Sequence, residues 1–268
     1  MERALVLRHQ FFDVNSEQVL NACRIVGELC NLMAVIYLQQ EEFSLVLELL
    51  KKAEVVTERN AAGRAVTYNN MACFHRRSGK LRTALKYTQK ALKIEAKLES
   101  GVKYYRADTY LNACAILSQL GDHHSALKHA HSALISLQEE LFKGLDNLDG
   151  HESDKDTEDD SPKTKQQVHV KLDRIAVLAI AYHNLGVEQE FLKKHESCLA
   201  SYRKGMEIAE QYLGHDNPTT QTLRNAYDAA EKSVSAAKET KTEKETLSKN
   251  SIRKKVKGNR ITQNYLGT

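Results

Sequence analysis

The chain has 268 residues, and its 39 Lys and Arg against 35 Asp and Glu leave a net charge of +4, which implies no particular partner by itself. Two prolines, no tryptophan and few aromatics suit long helices, and no stretch shows the apolar–polar alternation of strands. This length can bury a substantial core as one or two domains.

In chain order, residues 1–20 read as an N-terminal arm. Their apolar run, Ala4 to Leu7, is too short for a signal-peptide core or a membrane span, so no membrane is expected. Ser16 is a candidate cap, with Glu17 near the positive end of the next helix. From Asn21 to Gln39 the residues Ile25, Leu29, Leu32, Met33 and Ile36 form an apolar face at helical spacing and are expected to face the core. Phe43, Val46, Leu50 and Ala53 continue the pattern in a second helix, and Glu41 lies in the turn between the two. Asn60 to Gly63 breaks this pair from the next.

Thr67 to Leu92 reads as a helix, a tight turn at Ser78-Gly79-Lys80, and a second helix. Much the same phrase returns at Thr109 to Leu134. Gly79, Ala84 and Ala91 match Gly121, Ala126 and Ala133 at a period of 42 residues. A turn glycine accepts the left-handed backbone that ends a helix, and small alanines let paired helices approach closely. Tyr68, Met71 and Leu81 are expected to fill the remaining gaps in one copy, and Tyr110, Leu117 and Leu120 in the next. A repeat of this length implies a solenoid.

Residues 143–168 then turn strongly acidic, from Asp146 to Asp160, with almost nothing apolar after Leu148. They read as a flexible insertion, because they cannot bury enough surface to offset their ordering entropy. The pattern resumes with Tyr182, Leu185-Gly186 and Tyr202. Lys193 replaces the turn glycine, Cys198 the first alanine and Gly205 the second. The step from the preceding turn is 72 residues, one period plus a 30-residue insertion. His215-Asp216-Asn217-Pro218 signals a last, capping helix, with a capping side chain ahead of a proline at the first helical position. Repeats one to three thus occupy 21–142, the fourth repeat and its cap 169–238, and a basic tail 239–268. The tail's dense core holds Arg253, Lys254, Lys255, Lys257 and Arg260.

The aromatic, the large–small pairs Met71-Ala72 and Ala113-Cys114, the glycine turns and the later alanines resemble the tetratricopeptide repeats. The 42-residue period is similar to the repeats of kinesin light chains. The resemblance covers roughly Glu28 to Lys238 outside the acidic stretch. It implies an all-α, right-handed solenoid of helix-turn-helix repeats, with a partner held on the concave side lined by the first helix of each repeat.

No motif points to chemistry. There is no phosphate-binding glycine loop, no G-x-S-x-G and no H-E-x-x-H. His123, His124, His129 and His131 lack the i, i+4 pairing a metal would want and are expected to face solvent. The acidic run lacks the ligand spacing of a calcium loop. His195 and Cys198 lie one turn apart, but Cys198 falls where a small residue is buried. Cys23, Cys30, Cys73, Cys114 and Cys198 are an odd set without a C-x-x-C pair, which reads as reduced, mostly buried thiols in a reducing compartment. No cofactor, metal or catalytic residue is expected.

What remains is surface. Asn70, Asn112 and Asn184 share one repeat position, just before the large–small pair, and Asn31, Asn69, Arg77 and His183 neighbour it. Asparagine amides both donate and accept, so such a row suits the backbone of an extended peptide. The structural alternative is that each amide bonds a nearby helix and fixes repeat geometry. Glu28, Val66, Asp108 and Ile180 disfavour a lysine clamp for a carboxylate. The expected function is a non-enzymatic scaffold or adaptor binding a protein or extended peptide in the groove. The alternative is a structural component docked on tubulin or another acidic surface through the tail. Nucleic acid is disfavoured, because no aromatics interleave the basic residues. The expected setting is the cytoplasm, with the cytoskeleton or a cilium as its narrower variant.

Overall fold

The computed structural model describes residues 3, 10–13, 15–98, 106–149 and 162–236. Eight helices follow one another there: α1 (Glu17–Gln39), α2 (Phe43–Val56), α3 (Ala61–Arg77), α4 (Leu81–Glu95), α5 (Arg106–Gln119), α6 (His123–Asp149), α7 (Pro162–Phe191) and α8 (His195–Leu213). A further helix, α9, covers 218–236. The expected all-α solenoid of helix-turn-helix repeats is therefore the observed fold, with pairs α1–α2, α3–α4, α5–α6 and α7–α8 each packed tightly.

Local chemistry sets the helix ends. The Ser16 hydroxyl accepts from the Val19 N–H, and Asn60 Oδ1 accepts from Gly63 N–H at 3.0 Å. Asn217 Oδ1 accepts from Thr219 N–H at 2.9 Å, just ahead of Pro218, as the sequence signal implies. The four intra-repeat turns share one geometry. Glu42, Lys80, Asp122 and Lys194 each donate a backbone N–H to the carbonyl five residues earlier, at 2.8–3.0 Å. The residue before each donor has left-handed backbone, with φ of 62° at Glu41, 73° at Gly79, 80° at Gly121 and 58° at Lys193. This is the Schellman closure, which satisfies helix-end carbonyls.

Packing follows the small residues. Ala84, Ala91, Ala126, Ala133 and Cys198 are fully buried at the expected positions. At Gly205 a Cβ would lie 2.8 Å from the Ala179 carbonyl oxygen, so glycine there sets how close α8 comes to α7. The core is continuous from repeat to repeat. Met71 and Phe74 of α3 pack on Ala34, Leu38, Val46 and Leu50 of the first repeat, and Ala181 and Leu185 of α7 join Cys114, Leu117, Ala126 and Leu137 of the third. Tyr202 and Cys198 pack under Ala230 and Val234 of α9, which covers the fourth repeat.

Three expectations need correction. The face Ile25, Leu32, Met33, Ile36 of α1 is exposed, while Val26, Cys30, Ala34 and Leu38 form the buried face. Both faces of α1 are apolar, so helical spacing alone could not say which one packs. Indeed α1 is long and apolar enough, by length and composition, to cross a membrane. Leu120 is exposed rather than gap-filling, because it sits at the start of the turn. His123 does not face solvent but is paired, as described below; His129 is half-buried beside Tyr110. The helices α6 and α7 also run into the acidic stretch, as far as Asp149 and from Pro162. The residues between them lie outside the described residues, as does the tail.

Candidate functional site: the face of the first helices

The first helices touch in succession, α1 with α3, α3 with α5 and α5 with α7, whereas second helices of neighbouring repeats make no comparable contact among the described residues. In a curved stack the helices that meet from repeat to repeat lie on the inner side, so this is the concave face.

The asparagines lie along it, and they bond one another. Asn31 is buried, and its Nδ2 donates to the Gly27 carbonyl (3.0 Å) and the Thr67 hydroxyl (2.9 Å). Asn70 Nδ2 donates to Asn31 Oδ1 at 3.0 Å, and Asn112 Nδ2 to Asn69 Oδ1 at 2.9 Å. The row thus stitches α1 to α3 and α3 to α5. Arg77 adds a third tie, donating Nη1–H to the Leu38 carbonyl at 2.7 Å. Asn69, Asn70 and Asn112 are only half-buried, and each primary amide has more donor and acceptor capacity than one such bond uses.

The row does not continue in the same way to α7. Asn184 is half-buried and makes no side-chain hydrogen bond among the described residues. His183 packs its ring 5.3 Å from that of Tyr202, with Nδ1 buried and unpartnered among the described residues. Burial lowers the pKa of this imidazole. The structure therefore brings Asn31, Asn69, Asn70, Arg77 and Asn112 together as a bonded set and leaves His183 and Asn184 apart from it. Arg253, Lys254, Lys255, Lys257 and Arg260 lie outside the described residues.

Between repeats three and four the ties run to carboxylates instead. Arg174 of α7 donates to both Asp108 oxygens at 3.1 Å and to Glu140 of α6 at 2.7 Å, with the Glu140 carboxylate almost fully buried. His123 Nδ1 lies 2.8 Å from the Oε2 of the buried Glu188, and its ring stacks on Phe191 at 4.0 Å. Burial raises the pKa of Glu140 and of Asp108, against the lowering effect of Arg174. Burial and the Glu188 carboxylate push the neighbouring Cys114 thiol up to about 12. Arg174, Glu140 and Glu188 escaped the sequence reading, which set His123 in solvent and gave Asp108 no partner. The available signal was register: Glu140 continues the buried row Ala126, Ala130, Ala133, Leu137, and Glu188 continues Ala181, Leu185. A carboxylate on a core face needs a partner.

The geometry offers no reacting centre at the His195–Cys198 pair. The buried Cys198 thiol contacts the backbone carbonyl of His195 at 3.1 Å, and burial raises its pKa. No group of three metal-ligating side chains occurs among the described residues.

Comparison with known proteins agrees with the repeat geometry. A tetratricopeptide-repeat family model matches residues 179–212, the second part of α7 and nearly all of α8. A clustered mitochondria protein homolog of Aspergillus niger is 29% identical over 121 residues, 44% of this chain and 10% of that protein. One of Ajellomyces capsulatus is 32% identical over 98 residues, 35% of this chain and 8% of that protein. The match thus spans about a tenth of the length of these relatives. Among solved structures, BtubC (BKLC) from P. vanneervenii superposes with a TM-score of 0.53 at 19% identity, covering 89% of each chain. The repeats of a putative kinesin light chain of Podosopora anserina superpose at 0.52 and 13% identity, over 79% of this chain and 88% of that one.

Proposed function

We propose that this chain, a stack of helix-turn-helix repeats that matches a tetratricopeptide-repeat model over residues 179–212, is a non-enzymatic scaffold that holds an extended segment of a partner protein along its concave face. The observation that carries this reading is the half-buried row Asn69, Asn70 and Asn112, already oriented by bonds across the helix seams. Pre-oriented amides lose little freedom on meeting a peptide backbone, which favours affinity. The same bonds fix repeat geometry, so one set of side chains serves both roles. Asn184 holds the same repeat position in α7, apart from the bonded set, and in this reading it offers a further amide to the partner, with His183 beside it and Arg77 within the set. The fungal relatives, named for clustered mitochondria, support a cytoplasmic setting for such an adaptor.

The test is titration of the full chain with peptides selected on it from an extended-peptide library. Asn112→Ala and Asn184→Ala should each weaken binding several-fold while leaving the helical circular dichroism unchanged. Peptides whose affinity ignores both substitutions would place the binding surface elsewhere.

A second reading, docking on an acidic cytoskeletal surface such as tubulin, has one observation in its favour: the tail sequence IRKKVKGNR. It predicts salt-sensitive co-sedimentation with microtubules that disappears when residues 249–268 are removed. Absence of pelleting at low salt would exclude direct docking.

A further inference from the structure

The helix α1 carries a second apolar face that the solenoid does not use. Ile25, Leu29, Leu32 and Ile36 follow one another at spacings of four, three and four, with Met33 beside them. Leu32 is 59% exposed, Ile36 45% and Met33 42%. The repeat itself shows what kind of element belongs there. Aligned on the turn residues Glu41 and Gly79, Met33 and Ile36 correspond to Met71 and Phe74. Those two residues are 2% and 6% exposed, because they pack on the helices of the repeat before them. The open face of α1 is thus an inter-repeat surface whose helical neighbour is missing among the described residues. A helix apolar on both sides is ordinarily covered on both.

We propose that a second copy of this chain covers this face, with the two α1 helices packed antiparallel across a two-fold axis. The spacing four, three, four reads the same in both directions. An axis passing between Cys30 and Asn31 therefore sets Ile25 against the partner's Ile36 and Leu29 against the partner's Leu32. Such self-complementarity is what an isologous dimer requires. The same spacing is that of a coiled-coil seam, and no charged residue interrupts it; the exposed Arg24–Glu28 ion pair lies at its edge, as at the flanks of such seams. Of the described residues ahead of α1, the aromatics Phe11 and Phe12 are themselves exposed.

The experiment is sedimentation equilibrium of the full chain across micromolar concentrations, with Leu32→Asp and Ile36→Asp as variants. Both side chains are exposed in the single chain, so each variant should keep its helical circular dichroism. The expected result is a wild-type dimer whose dissociation constant rises at least a hundredfold in either variant. Pair geometry is read by oxidation: Ile25→Cys combined with Ile36→Cys should cross-link two chains, and Ile36→Cys alone should not, each measured against the native cysteine background. A wild-type monomer at 100 µM overturns the proposal, as does a dimer indifferent to Leu32→Asp or cross-linking by Ile36→Cys alone. A monomer that dimerises only after residues 1–12 are removed assigns the face to the arm and overturns it too. A monomer that floats with phosphatidylcholine vesicles assigns the face to lipid, with the same consequence.

Discussion

Glu41 and Gly79 hold the same place in successive turns, and both have left-handed backbone, at φ 62° and 73°. Only the glycine adopts it without a Cβ penalty, which for other residues is about 1–2 kcal/mol. Glu41→Gly and Lys193→Gly should therefore each stabilise the fold by about 1 kcal/mol, less a fraction for the added freedom of the unfolded chain. Gly79→Ala and Gly121→Ala should each cost about 1 kcal/mol, for backbone reasons alone, since nothing lies within 4 Å of a Cβ at either site. Urea midpoints read all four, and equal stability of Glu41→Gly and wild type would contradict the account.

Asn31 is the buried anchor of the asparagine row. Replacing it by alanine leaves the Thr67 hydroxyl and the Asn70 amide without the partner they share. A loss of about 1–3 kcal/mol is expected from such unmade bonds. Asn184→Ala breaks no described bond and should stay within about 0.5 kcal/mol of wild type. A large cost at Asn184 would show that it is structural, and would remove it from the proposed peptide surface.

Arg174 holds two carboxylates, and that of Glu140 is almost fully buried. Arg174→Ala strands the Glu140 charge and should cost about 3 kcal/mol or more. Arg174→Met with Glu140→Leu removes the two buried charges and leaves only the partly exposed Asp108 without its partner, so it should recover most of that loss. Thermal unfolding of the single and double variants makes the comparison, and a double variant no better than the single one would contradict an ionic origin.

Gly205 meets the Ala179 carbonyl, and backbone cannot swing aside as a side-chain tip does. Gly205→Ala should cost about 1–3 kcal/mol through forced separation of α7 and α8. Its denaturation midpoint should fall below that of Gly79→Ala if close approach outweighs backbone freedom.

His75, His129 and His183 have pKa values lowered by burial. The unfolded chain takes up their protons near the ordinary value of 6.5 while the folded chain resists, so their contribution is complete above pH 6.5 and is lost as pH falls below it. Glu95, Asp108 and Glu140, raised by burial, act oppositely: the folded state gains stability as pH falls through their elevated values. The histidines should therefore make stability fall as pH drops below 6.5, and protonation of those carboxylates should oppose that fall. His183→Gln should flatten the first part of this fall, and urea midpoints at pH 7.5, 6.5 and 5.5 check it. An unchanged slope would show that His183 is not among the groups responsible.

Much of this was legible in the residues. Gly79 and Gly121 at a fixed period, the alanines beyond them and Pro218 behind Asn217 are local signals, because each acts within its own helix or turn. They determined the helix pairs, the turn positions and the solenoid class. Lys193 and Glu41 could be placed in turns only by alignment with the glycines, and their left-handed backbone confirms the alignment.

Tertiary structure decided what periodicity leaves open. The helix α1 has two apolar faces, and only the arrival of α2 and α3 chose the one that is buried. The links Asn31–Asn70, Asn69–Asn112, Arg174–Glu140 and His123–Glu188 join residues 34 to 65 apart in the chain. Sequence spacing specifies neighbours along one helix, through the fixed rise and turn of the backbone. It carries no comparable rule for which side chains two helices bring together, because that depends on crossing angle and separation, and these are set by the packing of the whole stack.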